Sequence, residues 1–443
     1  MKSKPELVAD QIAQTIMGGA VAGKLPSEQE IARQYHTSPV TAAKALNLLR
    51  ERGLVTRVPR VGTFAKWVGR RKVRIYCRAP EPSFANAFEP LLAAVSNLFP
   101  QLDLEYETKA PTVAAAVEAG CELFIQTTLY PRAYSEFFAP LSVDLGQRFA
   151  ESPDYQRDCF AIHRDHHLTY GVPFTFSPIV WRGNLDLLGQ FQPLRSVYDL
   201  TFEDVQGLSR SLAKRTDIAL FDREFVGANL MNLIYSHIPD RESAATASRE
   251  NVKAGLDGFK SWYPKAFDKQ YSFRHGNTLF SCTCRQNLNH SGAGKLPFRN
   301  DVLPVPERNG SRVASVASCS LFVSNCTSDA RLMFEICEAF LAPAAQKIIA
   351  ETRYGIPVLK SLQLDRMDSS EYRDDVFFTE ARNMVPPNRF FDKDFVAQVY
   401  ALLDRLASAP DELRKFPGKV LALFDFYQAR EAQREVDVSK VDS

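Results

Sequence analysis

The chain is predicted to be multidomain, with a small three-helix head closed by a β-hairpin and a large α/β body. Three observations carry this. Apolar residues recur at helical spacing from Leu7 to Leu49, with capping residues between the runs. Strand-like and helix-like stretches alternate from Arg71 onward. The length of 443 residues exceeds one compact domain; at about 150 residues per domain it predicts two to four.

In the head, Leu7, Val8, Ile12 and Ile16 form one apolar stripe, and the first helix stops at Gly18-Gly19. Ser27 and Glu30 stand three apart at the start of the second helix, the spacing of a capping box. Leu25 and Ile31 supply its apolar contacts. Thr37 or Ser38 can cap the third helix, which places Pro39 at or near its first position, where a missing N–H costs nothing. Ala42, Ala45, Leu46 and Leu49 are its buried face; Val40, Lys44 and Asn47 lie opposite, with Thr41 at the edge. Residues 54–58 and 63–65 are short β-runs around a turn at Pro59-Arg60-Val61-Gly62. Three helices and a basic hairpin make a winged helix-turn-helix. In that arrangement the third helix enters the major groove and the hairpin reaches the backbone or minor groove.

Charge agrees. Residues 1–74 hold 14 Lys/Arg and 5 Asp/Glu, a surplus of nine; the whole chain is +2, so the remainder carries −7. A basic head on an acidic body points to a polyanion for the head alone; a merely solvated charged face is the plain alternative. The motifs LPSEQEIA, SPVTAAKAL and GLVTRVPRVGTFA resemble the DNA-binding domain of GntR-type bacterial transcription regulators. That resemblance implies contacts to DNA from Ser27, Gln29, Ser38, Val40, Thr41, Lys44, Arg57, Arg60, Gly62 and Thr63. Pro39 and Ala43 stand where relatives often carry arginine. Readout is therefore expected to lean on phosphates and shape, with Val40 on a thymine methyl.

In the body, residues 71–77, 102–106 and 122–126 are predicted strands. Stretches 84–99 and 113–119 are predicted helices. This alternation implies a parallel sheet with helices on its faces. Ligands on such sheets bind beyond the strands' carboxyl ends, here at loops 78–83 and 127–130. Farther on come YGVPFTFSP, then IVWRGN, DVLPVP, and finally Tyr354-Gly355-Ile356-Pro357-Val358. Their order resembles the family 1 solute-binding proteins of ABC importers, a group that includes maltodextrin and other sugar receptors. The resemblance implies a two-lobed, periplasmic-binding-protein-like (type II) fold with the ligand between lobes. Expected ligand-binding residues are Tyr170, Phe174, Phe176, Trp181, Tyr235 and Trp262, since flat aromatic faces suit sugar rings. The plain alternative is that these aromatics are core. Arg182-Gly183-Asn184 stands where the family has Tyr-Asn.

The expected organisation is a DNA-binding domain over 1–67, a linker over 68–73, a two-lobed effector domain over 74–430, and a disordered tail over 431–443. Hinge segments are expected near 170–181, 311–320 and 354–360.

Other signals are weaker. His163, His166 and His167 lack the spacing of a helical metal site and read as an exposed loop. Cys282 and Cys284 share one face of a strand with no second pair for zinc. The run 290–295 lacks P-loop spacing and reads as a surface loop. No nucleophile elbow occurs. The eight cysteines sit mostly in apolar contexts, which suits a reducing compartment. No signal peptide is expected, since no apolar run follows Lys2 and Lys4, and no run of about 20 apolar residues predicts a membrane helix. The expectation is a cytoplasmic, non-enzymatic regulator without cofactor or metal. Its partners are a double-stranded DNA operator, a small-molecule effector (a saccharide by the resemblance) and a second copy of itself in a homodimer; no membrane contact is expected. Two alternatives remain: a body that only dimerises, or an aminotransferase-like body holding pyridoxal phosphate, for which no lysine-centred motif is seen.

Overall fold

A computed structural model of the chain describes residues 3–17, 23–59, 61–66, 71–77, 82–99, 102–126, 133–142, 145, 148–149, 151–165, 168–191, 196–242, 244–290, 296–363 and 373–441.

The head contains α1 (Lys4–Met17), α2 (Glu28–Gln34), α3 (Pro39–Glu51), β1 (Val55–Val58) and β2 (Gly62–Ala65). Ser27 closes the capping box: its Oγ accepts from Glu30 N at 3.3 Å, and its own N donates to Glu30 Oε2 at 2.7 Å. Ser38, rather than Thr37, caps α3 by accepting from Thr41 N at 3.2 Å, and Pro39 is the first helical residue. Each such cap stabilises by about 1 kcal/mol. Val8, Ile12, Ile16, Leu25, Ile31, Ala42, Ala45, Leu46 and Leu49 form one buried cluster. Leu7 departs from the expected stripe and is half exposed. β1 and β2 pair antiparallel from Val55 opposite Ala65 to Val58 opposite Gly62.

The body begins with β3 (Arg71–Cys77), so the expected linker ends earlier than residue 73. Its strands continue as β4 (Leu102–Glu107), β5 (Cys121–Gln126), β6 (Arg164–Asp165), β7 (Leu168–Thr169), β8 (Val172–Pro178) and β9 (Val180–Asn184). After them come β10 (Ala219–Phe221), β11 (Thr278–Thr283), β12 (Asn300–Leu303), β13 (Ala314–Val323), β14 (Ile356–Pro357) and β15 (Met384–Val385). The first lobe holds a seven-stranded sheet in the order β14-β8-β13-β5-β3-β4, with β15 on β13. Only β4-β3-β5 and the β13–β15 pair are parallel; β13 runs antiparallel to both β5 and β8. The sheet is therefore mixed rather than fully parallel. The second lobe holds a four-stranded sheet, β10-β11-β9-β12.

Among the described residues the chain crosses between the lobes at several places, including after β15, where residues 386–392 lead to the helix Lys393–Leu406 packed on the second-lobe helix Val226–Tyr235. β8 passes into β9 through Ile179 alone, whose N donates to Ser315 O at 2.8 Å. Residues 304–313 carry β12 of the second lobe to β13 of the first. β11 of the second lobe leads into the helix Arg285–His290, which packs on the first-lobe helix Pro82–Leu98 and on β8. β8 and β9 are buried at every position. Both faces are covered, so even the polar residues Thr175, Ser177, Arg182 and Asn184 are buried, and they hydrogen-bond within the fold.

The expected tail is corrected. The last helix, Phe416–Val441, runs through residues 431–441. Phe416, Val420 and Phe424 anchor its first turns at i, i+4, i+8. The chain beyond holds no Gly or Pro, and elongating a formed helix adds one hydrogen bond per residue.

Candidate functional sites

The head presents two adjoining surfaces. At the start of α3, Val40 is 67% exposed, and Ser38 and Lys44 are exposed beside it. Lys44 has no ion-pair partner among the described residues. Thr41 is half-buried, with its hydroxyl 2.9 Å from Ser38 Oγ. A groove of about 1240 Å³ runs between the start of α2 and the hairpin, and Ser27, Gln29, Arg57, Gly62 and Thr63 all border it. Thr63 is only 7% exposed, so its side chain belongs to the hairpin's packing and is not presented for contact. Arg60 lies outside the described residues. Gly62 has φ +141°, a backbone conformation L side chains rarely adopt, so the turn requires glycine.

Arg57 is not free. Its Nη1 donates to Asn47 Oδ1 on α3 at 3.0 Å, and its Nη2 pairs with Glu28 Oε1 on α2. Glu28 carries no local signal for this role in the sequence, because its partner lies 29 residues away.

In the body, the six expected ligand-binding aromatics are all buried and none borders the large cleft. This corrects the sequence expectation. Phe174 packs against Phe88 and Phe340 at 5.9 and 5.5 Å between ring centres. Phe176 lies in the same fully buried strand. Tyr170 stacks on Tyr134 at 5.2 Å. Trp181 packs edge-on to Phe221 and donates its Nε1 to Asn229 Oδ1 at 3.3 Å. Tyr235 donates its hydroxyl to Pro387 O and packs on Phe390 and Phe391. Trp262 donates to Gln206 Oε1 at 3.1 Å and packs on Phe202. For Phe174, Phe176 and Trp181 the cause is strands buried on both faces, which put an aromatic into core whichever way it points; Tyr235 and Trp262 are buried on the inward faces of helices.

His163 is corrected as well. It is fully buried, with Nδ1 3.1 Å from the Tyr134 hydroxyl and Nε2 3.4 Å from Ser318 Oγ. Burial pushes its pKa down to about 3, so the ring is neutral. His166, His167, the loops 78–81 and 127–132, and residues 291–295 lie outside the described residues. Cys282 and Cys284 are buried thiols whose pKa values burial raises, to about 12 for Cys284. Among the described residues no group of three or more His, Cys, Asp or Glu is placed to hold a metal ion.

The cleft measures about 1560 Å³. The first lobe contributes residues around Arg164 and Asp165, and the second contributes the segment around Arg241 and Glu242. The stretch 382–393, which includes β15, closes it, with Arg382 and Arg389 exposed. Arg389 lies over the Phe390 ring at 4.9 Å. Lys393 Nζ sits 3.2 Å from Asp394 Oδ1 and 4.7 Å above the Tyr134 ring. Asn388 Nδ2 donates to Ala161 O at 3.2 Å, while its Oδ1 is buried with no partner among the described residues. A buried orphan acceptor in a cleft is a place for a ligand donor or an ordered water. Arginines and carboxylates thus line the described part of the cleft, and its two aromatics, Phe390 and Phe391, are buried.

Comparison with known proteins divides the chain at the same place. Residues 5–65 match the model of the bacterial regulatory proteins, gntR family. No curated protein matches the chain by sequence. Among solved structures, an ABC substrate-binding protein of Listeria monocytogenes in complex with cycloalternan aligns at TM-score 0.61 and 13% identity, covering 80% of this chain and 99% of that one. A solute-binding protein of Thermotoga lettingae bound to α-D-tagatose gives 0.60 and 10%, covering 80% and 99%. UgpB of Mycobacterium tuberculosis in complex with glycerophosphocholine gives 0.60 and 14%, covering 82% and 100%. The chain therefore joins a gntR winged helix-turn-helix to a two-lobed fold shared with sugar-binding proteins. No helix among the described residues is long and apolar enough to cross a membrane.

Proposed function

We propose that this protein is a one-component transcription regulator: the head binds an operator, and the cleft binds a small solute, a saccharide, that alters operator binding. The observation that carries the reading is the joining, in one chain, of a DNA-binding head to a two-lobed solute-binding fold. Ser38, Val40 and Lys44 at the start of α3 would face the major groove, Val40 on a thymine methyl and Lys44 on phosphate. Ser27, Gln29 and Gly62 border the groove beside the hairpin and would meet the sugar–phosphate backbone. The protein would bind a pseudo-palindrome as a homodimer, the usual match of protein and operator symmetry. Lobe closure on the solute would alter the spacing of two heads; a tenfold change in DNA affinity needs about 1.4 kcal/mol of coupling.

The cleft's chemistry favours a second reading of the solute. Arg164, Arg382 and Arg389, set among the carboxylates of Asp165, Asp240 and Glu242, suit a solute carrying both charges better than a neutral sugar. The test is to select operator fragments from genomic DNA, then measure their affinity by fluorescence anisotropy with neutral saccharides, sugar phosphates and zwitterionic solutes added. A shift of threefold or more with one class identifies the solute. If no class moves either the DNA affinity or the melting temperature, solute sensing is wrong. If no fragment is retained, the DNA-binding reading is wrong.

A further inference from the structure

A second pocket, of about 310 Å³, opens on the outer side of the second lobe and shares no residue with the cleft. It lies between the helices Phe202–Leu212 and Arg249–Trp262, at the small end of the range for ligand sites. Its rim carries Arg210, Arg308 and His237 against one carboxylate, Glu203. Among the described residues neither guanidinium has an ion-pair partner. The Arg308 guanidinium is held over the Phe202 ring at 5.3 Å, which fixes its position while leaving its N–H donors unused. His237 is half-buried; burial first and the charge of Arg308 second outweigh the nearby Asp257 carboxylate and hold its pKa at about 4, so the neutral ring keeps one N–H to donate.

Beneath the pocket a void of about 10 Å³ shares Phe202, Leu233 and Trp262 with it. Asn232 borders this void, is 95% buried, and has an Nδ2 with no acceptor among the described residues. A void of that size is close to one water molecule. An unpaired buried donor beneath a rim of unpaired cations calls for an acceptor from outside the chain.

The pocket also touches the connection between lobes. Arg308, Asn309, Gly310 and Ser311 form a two-residue hairpin, with Asn309 at φ 51° and Gly310 at φ 78°, the signature of a type I′ turn. Arg308 faces the outer pocket from this hairpin. Ser311 Oγ accepts from Arg241, and Arg241 and Arg312 both border the cleft. One short turn therefore separates the two cavities.

We propose that the outer pocket is a second small-molecule site, taking the phosphate or carboxylate of a small organic anion on Arg210, Arg308 and His237. The test is isothermal titration of the full chain with phenyl phosphate, with phenol as the uncharged control. The expected result is a single phenyl phosphate site, no phenol binding, and affinity at least tenfold weaker in the Arg210→Ala/Arg308→Ala double variant. Arg210→Ala alone changes an exposed helix position and leaves folding intact, and it should weaken binding at least threefold. Absence of phenyl phosphate binding, equal affinity in Arg210→Ala, or loss of binding in Arg389→Ala instead, which would locate the anion in the cleft, each overturns the proposal.

Discussion

The buried pair Arg285–Asp374 offers the sharpest test of how the two lobes are joined. Arg285 Nε and Nη2 donate to Asp374 Oδ1 and Oδ2 at 2.8 and 3.1 Å, a bidentate fork. The side chains are 4% and 0% exposed. Arg285 Nη1 also donates to Gly355 O, and Arg285 N donates to Ser177 Oγ on β8 at 2.9 Å. Gly355 sits at φ +78°, where a Cβ would meet Thr175 Oγ1 and Gln286 Nε2, so the approach of Arg285 to that carbonyl depends on glycine. The helix Asp374–Glu380 packs on both β8 and β9, which places the pair at the crossing. Asp374→Ala leaves a buried guanidinium without its carboxylate and is expected to cost about 3–5 kcal/mol. Replacing both partners with apolar groups, Arg285→Met/Asp374→Leu, removes the charge altogether and should recover most of that loss. The assay is urea unfolding followed by tryptophan fluorescence, since Trp181 and Trp262 both report on the second lobe's core. A loss below about 1 kcal/mol in Asp374→Ala, or a double variant no better than the single, would refute the reasoning.

Three further outcomes are expected. Lys44→Ala should weaken operator binding without lowering the melting temperature, and should flatten the slope of log affinity against log salt by about 0.9; an unchanged slope removes Lys44 from the interface. Glu28→Gln should release Arg57 toward phosphate and tighten DNA binding severalfold, measured by anisotropy at fixed salt, and equal or weaker binding would show that the Glu28–Arg57–Asn47 cluster positions the hairpin instead. Stability should also depend on pH through His163, whose folded pKa of about 3 lies below its unfolded value of about 6.5. Its contribution is complete above pH 6.5 and is lost as pH falls toward 3, at up to about 1.4 kcal/mol per pH unit, because only the unfolded chain takes up the proton. Urea midpoints between pH 7 and 5 should therefore fall less in His163→Gln than in the parent, and parallel slopes would exclude the histidine.

The head was legible in the sequence because its determinants are local. Ser27 and Glu30 are three residues apart, Ser38 and Pro39 are adjacent, and each geometry closes within one helical turn. The two-lobed architecture was legible through the order of YGVP, DVLPVP and YGIPV: the first two lie beside strands that pass between lobes, whereas YGIPV forms β14 at the edge of the first-lobe sheet, so the hinge expected near 354–360 is not a crossing. Neither kind of signal says which way a side chain faces once a strand is covered on both sides. Phe174, Phe176 and Trp181 have the residue types of a sugar platform and the burial of core, and only packing decides between them. The cleft is formed differently. Arg164, Arg241 and Arg389 come from three segments with no shared motif, and the fold alone brings them to one cavity. Arg57 shows the same limit in the head: a basic hairpin residue reads as a phosphate contact until Glu28, distant in sequence, is found against it. Recognition surfaces in this protein are assembled from long-range neighbours, so variants that break pairs such as Glu28–Arg57 and Arg285–Asp374 test its function more directly than variants of its most suggestive aromatic residues.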